Sequence, residues 1–331
     1  MKEQVVMPPP EAPTNGDLAA PFVRKDRFGE YGMAPQPPMV KVVLALEALV
    51  LLPLRAVSVL ILVVLYWLIC NASVALPPKY CAAVTVTAGR LVCRWALFCF
   101  GFHYIKWVNL AGAEEGPRPG GIVSNHCSYL DILLHMSDSF PAFVARQSTA
   151  KLPFIGIISQ IMSCLYVNRD RSGPNHVGVA DLVKQRMQDE AEGKTPPEYR
   201  PLLLFPEGTT SNGDYLLPFK TGAFLAGVPV QPVVLHYHRG TLWPTWETIP
   251  AKWHIFLMLC HPRHKVTVMK LPVYVPNEEE KADPKLYAQN VRKAMMEVAG
   301  TKDTTAVFED KMRYLNSLKR KYGKPVPKKI E

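Results

Sequence analysis

The first strong signal along the chain is a change of hydropathy. From Val42 onward the sequence turns apolar, and Ala56 to Leu76 carries no charge and is rich in Val and Leu. A stretch of about 20 apolar residues is what a hydrocarbon core requires. Tyr66 and Trp67 fit an interfacial belt. Just upstream, Val42 to Leu54 is apolar apart from Glu47, and Pro53 and Arg55 interrupt it. A second stretch, Leu91 to Phe102, follows Arg90 and is broken by Arg94. Two arrangements fit this pattern. One is a single true span. The other is a helical hairpin that dips into one leaflet and keeps both ends on one side. Length argues against a third, a buried helix of a soluble protein.

The flanks read differently. Residues 1–40 lack apolar periodicity and hold Pro8, Pro9, Pro10, Pro13, Pro35, Pro37 and Pro38. That composition predicts disorder. The apolar run begins too late for a cleavable signal peptide. After Leu110 short apolar runs recur at Gly121–Ser124, Ala142–Ala145, Cys164–Val167, Leu202–Phe205, Val230–Leu235 and Lys265–Val273, each a candidate strand. Helical periodicity fills the gaps. Val179, Leu182, Val183 and Met187 mark one helix. Asp283-Pro284 caps another, which runs through Leu286, Val291, Met295 and Val298 to Gly300. Phe308, Met312, Leu315 and Leu318 mark a last amphipathic helix ending near Gly323. The fold class expected is α/β, a mixed sheet flanked by helices and preceded by an N-terminal membrane-embedded helical segment or hairpin. The boundaries expected are 1–40 disordered, 41–104 membrane-anchoring, 105–300 the α/β domain, and 301–331 a C-terminal helix with a basic tail.

Composition sharpens this a little. Hydrophobic residues make up 48% and charged residues 20%, below the usual share of about 25%, which points to a large core or to lipid. The net charge of +10 suits an anionic membrane or a phosphate-bearing substrate. No dense Lys/Arg block sits near an aromatic RNA-binding pattern, so nucleic acid is not an expected partner. None of the seven cysteines forms a Cys-x-x-Cys pair, so free thiols are expected rather than disulfides or zinc. His236-x-His238 and His261-x-x-His264 have ligand-like spacing. No Cys or carboxylate cluster joins them in the sequence, and no metal site is expected.

Chemistry concentrates in two places. Asn125-His126-Cys127-Ser128-Tyr129-Leu130-Asp131 follows a candidate strand and opens into an apolar helix start. In a helix, positions five apart point about 140° away from each other. His126 and Asp131 therefore meet only if His126 lies in the turn before the helix and Asp131 in its first turns. A carboxylate could then hold one imidazole nitrogen and leave the other free as a general base for an alcohol. On spacing alone, a histidine near an aspartate serves structure more often than chemistry. The second place is Phe205-Pro206-Glu207-Gly208-Thr209-Thr210-Ser211-Asn212-Gly213, after the apolar run Leu202-Leu203-Leu204. It reads either as a capped tight turn or as a loop whose amides approach an oxygen-rich ligand, with Glu207 accepting from the ligand's hydroxyls.

Together the two resemble the glycerolipid acyltransferases with a lysophosphatidic acid acyltransferase, or PlsC-type, domain. The pattern is Asn-His-x-x-x-x-Asp followed by Phe-Pro-Glu-Gly-Thr. Tyr166-Val167-Asn168-Arg169 is similar to the family's second block, and Gly227-Val228-Pro229-Val230-Gln231-Pro232-Val233 to its fourth. One departure stands out: the second block often begins Gly-Arg, and Ser163-Cys164 occupies those places. That weakens the match to lysophosphatidic acid or glycerol 3-phosphate as acceptor. The run Phe205 to Phe224 looks most like the lysophosphatidylethanolamine and lysophosphatidylcholine acyltransferases, in a form without the EF-hands some of them carry.

The resemblance implies an acyl-CoA:lysophospholipid O-acyltransferase with His126 and Asp131 catalytic. It implies Asn125, Arg169, Glu207, Gly208, Thr209 and Lys220 at the substrates, Arg169 and Lys220 on acceptor phosphate. Acyl-CoA would be a co-substrate, with no resident cofactor. Glycerol 3-phosphate or lysophosphatidic acid is the alternative acceptor, and a non-catalytic membrane scaffold the alternative of another class. A lipid hydrolase is disfavoured because no Gly-x-Ser-x-Gly or His-Glu-x-x-His occurs. Lys328-Lys329 near the C-terminus resembles a dilysine retrieval signal, or else a plain basic tail. The first reading predicts an endoplasmic reticulum membrane protein with catalytic domain and C-terminus facing the cytosol.

Overall fold

The computed structural model describes residues 18–113, 115–151, 155–167 and 178–325. Five strands form the central sheet: β1 (Ile105–Asn109), β2 (Gly121–Ser124), β5 (Leu202–Leu204), β6 (Val230–Tyr237) and β7 (Val266–Lys270), in the order β1-β7-β6-β2-β5. Only β6 and β7 run antiparallel. A small parallel pair, β3 (Val144–Arg146) and β4 (Leu165–Val167), stands apart. The inner strands are apolar because both faces are covered: all four residues of β2 and seven of eight in β6 are buried. β1 escaped the sequence pattern because it is an edge strand with one buried residue in five.

Helices α1 (Pro38–Ser73), α2 (Pro78–Cys99), α3 (Leu130–Asp138), α4 (Ile155–Ile161), α5 (Val179–Ala191), α6 (Ala251–Cys260), α7 (Glu278–Ala282), α8 (Pro284–Ala299) and α9 (Phe308–Lys321) complete the chain. One core joins one face of the sheet to Leu130 and Leu134 of α3 and Leu257 and Met258 of α6. The other packs Val123, Leu202 and Val234 against Met187 of α5 and Tyr287, Val291 and Met295 of α8. α8 carries its expected ends: the Asp283 side chain accepts from Lys285 N–H, and Gly300 is left-handed. α6 gave no amphipathic signal because it is apolar nearly all round.

The apolar N-terminal region is a hairpin. α1 is continuous through Pro53 and Arg55, where the sequence predicts an interruption. Arg55 turns back from it to donate to the carbonyls of Leu259, His261 and Pro262 at 3.0, 2.7 and 2.9 Å, capping the end of α6. Tyr66 and Cys70 pack with Cys93 of α2 and with Phe140 and Met162 of the α/β domain. Both helices are long and apolar enough to cross a membrane, and almost none of α1 is buried.

One expected boundary needs correction. Residues 18–37 are not disordered in the described part: Phe22, Arg24, Phe28 and Tyr31 are buried against the α/β domain. Arg24 donates to Asp26 at 2.5 Å, to Glu247 at 3.0 Å and to the carbonyls of Thr245 and Trp243. The proline-rich composition hid this because a buried arginine and a few scattered aromatic side chains, not an apolar stripe, hold the segment. The expected C-terminal helix is present as α9. Lys311 of α9 reaches into the domain to bond Thr210.

Arg24→Ala would leave Asp26 and Glu247 buried without their cation. Removing one partner of a buried ion pair costs about 3–5 kcal/mol. Denaturant titration of the detergent-solubilised protein should show a loss of that size. An unchanged midpoint would mean that the Arg24 ion pairs contribute nothing to the folded state.

Candidate active site

The sheet register builds the site. β2 and β5 are parallel neighbours with Val123 opposite Leu204. Their carboxyl ends are therefore level, and the segments beginning Asn125 and Phe205 leave the sheet side by side. Such an edge is where open α/β sheets place their ligands.

His126 lies in the turn after β2, and Asp131 in the first turn of α3. Asp131 is fully buried, and four donors surround it. Its Oδ2 accepts from His126 Nδ1 at 2.9 Å and from the N–H groups of Cys127 and Ser128 at 2.6 and 2.9 Å. Its Oδ1 accepts from the Tyr237 hydroxyl at 2.6 Å. With Nδ1 committed, the free ring nitrogen of His126 is Nε2. The imidazole stacks on Phe205, centroids 4.2 Å apart and planes 18° apart, and its side chain is 19% exposed. It lines a cleft of about 430 Å³ shared with Gly208, Thr209, Thr210, Trp246, Phe308, Lys311 and other residues. A larger cavity of about 570 Å³ opens toward the amino ends of β2 and β6, lined by Ile122, His135, Gln231 and Lys270, and holds no residue of the segments Asn125–Asp131 and Phe205–Gly213.

Two expected substrate contacts are occupied otherwise. Glu207 is buried, and its oxygens accept from the backbone N–H of His126 at 2.6 Å and of Leu217 at 2.9 Å. It is a strut that fixes the His126 backbone. Burial pushes its carboxyl up to about 8, and the two N–H donors pull the other way. Asn125 spans to β6, accepting from Leu235 N–H at 2.7 Å and donating to its carbonyl at 3.0 Å. Both amide groups are spent on joining strands.

Gly208 and Thr209 do line the cleft. Gly208 has φ of +70°, and a Cβ there would meet Lys220 Nζ at 2.7 Å, so glycine suits both backbone and space. Lys220 thus lies beside the cleft without lining it. Arg169 is outside the described residues.

Several site residues escaped sequence reasoning. Tyr237 ends β6, 106 residues from Asp131, and nothing local marks it. Trp246 packs through its loop, with its carbonyl accepting from Thr210 Oγ1 at 2.5 Å. Lys311 did leave a trace: it interrupts the apolar stripe of α9 between Phe308 and Leu315. Cys127 is buried, and burial, with the charges of Asp131 and Glu207, pushes its thiol well above the usual range, so it does not supply a thiolate. Among the described residues no three His, Cys, Asp or Glu side chains gather as a metal site would need. His238 instead meets Thr267, and His261 meets Thr241.

The family model and the relatives in sequence agree on one family. A model of the acyltransferase domain matches residues 108–236. The lysophospholipid acyltransferase LPEAT1 of Arabidopsis thaliana is 41% identical over 322 residues, 83% of this chain and 80% of that protein. Lysophosphatidylcholine acyltransferase 1 of Homo sapiens is 32% identical over 82% of this chain and 51% of its own, so the chain spans about half the length of that relative. The crystal structure of the 1-acyl-sn-glycerophosphate acyltransferase PlsC from Thermotoga maritima superposes at a TM-score of 0.47 with 19% identity, over 74% of this chain and 96% of that one.

Glu207→Gln tests the strut. A carboxyl whose pKa is raised on folding stabilises fully below its unfolded value of 4.5, and that contribution is lost as pH rises through about 8. The substitution puts an NH₂ against one backbone N–H, so the variant should melt below wild type. Its melting temperature should also decline less between those pH values. Parallel pH profiles for the two proteins would remove Glu207 as the titrating group.

Proposed function

The chain belongs to the acyltransferase family, and from that footing we propose that it transfers an acyl group from acyl-CoA to a free hydroxyl of a lysophospholipid. The observation that carries this is the pairing of His126 Nδ1 with the buried Asp131 at 2.9 Å, which leaves Nε2 for the cleft. Nε2 takes the proton of the acceptor hydroxyl as its oxygen attacks the thioester carbonyl. The tetrahedral intermediate collapses, the C–S bond breaks, and the departing CoA thiolate takes the proton back from the imidazolium. Asp131 orients the ring and stabilises its charged form. No acyl-enzyme is needed, and the reaction as written uses acyl-CoA as co-substrate without a resident cofactor.

Gly208 and Thr209 form the acceptor wall, with Lys220 beside them and Arg169 as a further candidate phosphate contact. Lysophosphatidylcholine or lysophosphatidylethanolamine is the favoured acceptor, on the match of the run Phe205 to Phe224 and the names of the relatives above. The hairpin of α1 and α2 supports a membrane-bound enzyme: its outer apolar side chains, among them Leu46, Leu49, Leu54, Leu60 and Leu65, are exposed and would be covered by lipid. Residence in the endoplasmic reticulum, with the catalytic domain cytosolic, rests on Lys328-Lys329, which lie outside the described residues.

The test is acyl transfer from radiolabelled acyl-CoA by membranes containing the protein, with a panel of lysophospholipids, lysophosphatidic acid and glycerol 3-phosphate. Label should enter one phospholipid. His126→Ala should lower that rate by roughly 10²–10⁴-fold. Label released only as free fatty acid would indicate a hydrolase. Product formation indifferent to His126 would overturn the general-base role.

A further inference from the structure

α9 carries a stripe that faces the cleft: Phe308, Lys311, Leu315 and Lys319 all line it. Their spacing is that of one helix face. Lys311 is the unusual member, because it is 8% exposed. Its ammonium donates to the carbonyl and hydroxyl of Thr210, both at 2.7 Å, and lies about as far from the ring of Phe22 as from that of Trp246, 5.9 and 6.0 Å. Two of its three N–H donors are thereby used. Among the described residues no carboxylate forms an ion pair with it. Burial pushes it down to about 8, and the carboxyl groups of Glu247 and Glu207 pull the other way. Glu247 lines the cleft but is ion-paired with Arg24, and Glu207 is bonded to backbone N–H groups. A buried cation whose direct hydrogen-bond partners are neutral, with a donor left over in the wall of a cleft, is a place for an anion.

The position of Lys311 says which anion. Thr210 precedes Ser211, whose N–H bonds the His126 carbonyl at 3.0 Å, so the ammonium is tied to the segment that borders the imidazole. In a glycerolipid the phosphate sits one or two carbons from the free hydroxyl. The phosphates of CoA are separated from the thioester by the whole pantetheine arm. The anion near His126 is therefore the acceptor's. Lys319, eight residues and about 12 Å further along the helix, is partly exposed and lies toward the outer part of the stripe.

We propose that Lys311 of α9 binds the phosphate of the acceptor in the His126 cleft, with Lys319 as a weaker outer contact. This rests on the transferase reading and adds a specificity residue from outside the segment that matches the family model. α9 is then part of the acceptor site, and the identity of residue 311 sets the demand for a phosphate-bearing acceptor.

The experiment compares Lys311→Met, Lys311→Arg and Lys319→Met with wild type. It measures KM for lysophosphatidylcholine at saturating acyl-CoA, KM for acyl-CoA at saturating acceptor, and the thermal midpoint. Losing one charged hydrogen bond should raise the acceptor KM roughly 10- to 100-fold in Lys311→Met, with the acyl-CoA KM within about twofold. Lys311→Arg should recover most of the loss, and Lys319→Met should shift the acceptor KM only a few-fold. A rise confined to acyl-CoA would assign the ammonium to CoA phosphate and overturn the proposal. An equal loss for both substrates with a lower thermal midpoint would make Lys311 a structural tie, with the same consequence. If wild type acylates no acceptor, binding of radiolabelled lysophosphatidylcholine by wild type and Lys311→Met separates the two readings. Lys311-dependent binding keeps this proposal while the transferase reading falls. Binding that is absent or indifferent to Lys311 overturns it.

Discussion

Asp131 is the constraint on which the site is built. A carboxylate with no exposed surface survives in a fold only if donors surround it. Here they come from two parts of the chain: the His126 ring with the amides of Cys127 and Ser128 in the turn after β2, and the Tyr237 hydroxyl at the end of β6. Each donor fixes a neighbour. The two amides shape the turn so that His126 reaches back to α3. Tyr237 ties that turn to the central strand. Glu207 then holds the same turn from the other side through the His126 N–H. The imidazole is thus placed by its backbone and by its Nδ1, with Phe205 stacked on its face. The remaining nitrogen has little freedom except toward the cleft.

The parallel register of β2 and β5 does the rest at larger scale. The two motif segments are some eighty residues apart, and nothing local requires them to meet. The ladder between Gly121–Val123 and Leu202–Leu204 brings them together, and it forms because both runs are apolar enough to be buried on both faces. This is why so much was legible in the sequence. Short apolar runs before each motif mark inner strands of an α/β sheet, and motifs at strand ends are motifs at a common edge. Six of the strands and the helices α5, α8 and α9 follow from periodicity and capping signals of this kind.

What stayed hidden was hidden for a physical reason. Periodicity reports how a segment meets water; it does not report which side chain fills a particular hydrogen bond. Glu207 and Asn125 are polar residues in motif positions, and sequence alone could not tell a group facing the ligand from one consumed by backbone N–H and carbonyl groups. Arg24 and Glu247 are 223 positions apart, and the segment around Arg24 has no apolar stripe to announce that it is packed. β1 lost its signal because an edge strand buries so little. Lys311 is the instructive case. A lysine inside the apolar face of a helix conflicts with that face, and such local conflicts tend to lie at functional or strained positions.

The arrangement also bears on how an acyl group would move. Cys127 adjoins His126 and could suggest a covalent route by way of a thioester. The electrostatics oppose it. The thiol is buried, and the charges of Asp131 and Glu207 raise the cost of a thiolate further. The same two carboxyl groups serve the histidine differently, since one stabilises a positive ring and the other only positions its backbone. A pocket that disfavours an anion on sulfur and sets a carboxylate against one imidazole nitrogen suits proton removal from an incoming alcohol. Direct transfer from the thioester, with the proton returned to the leaving sulfur, needs only that asymmetry and a cleft to hold both substrates against the Nε2 edge.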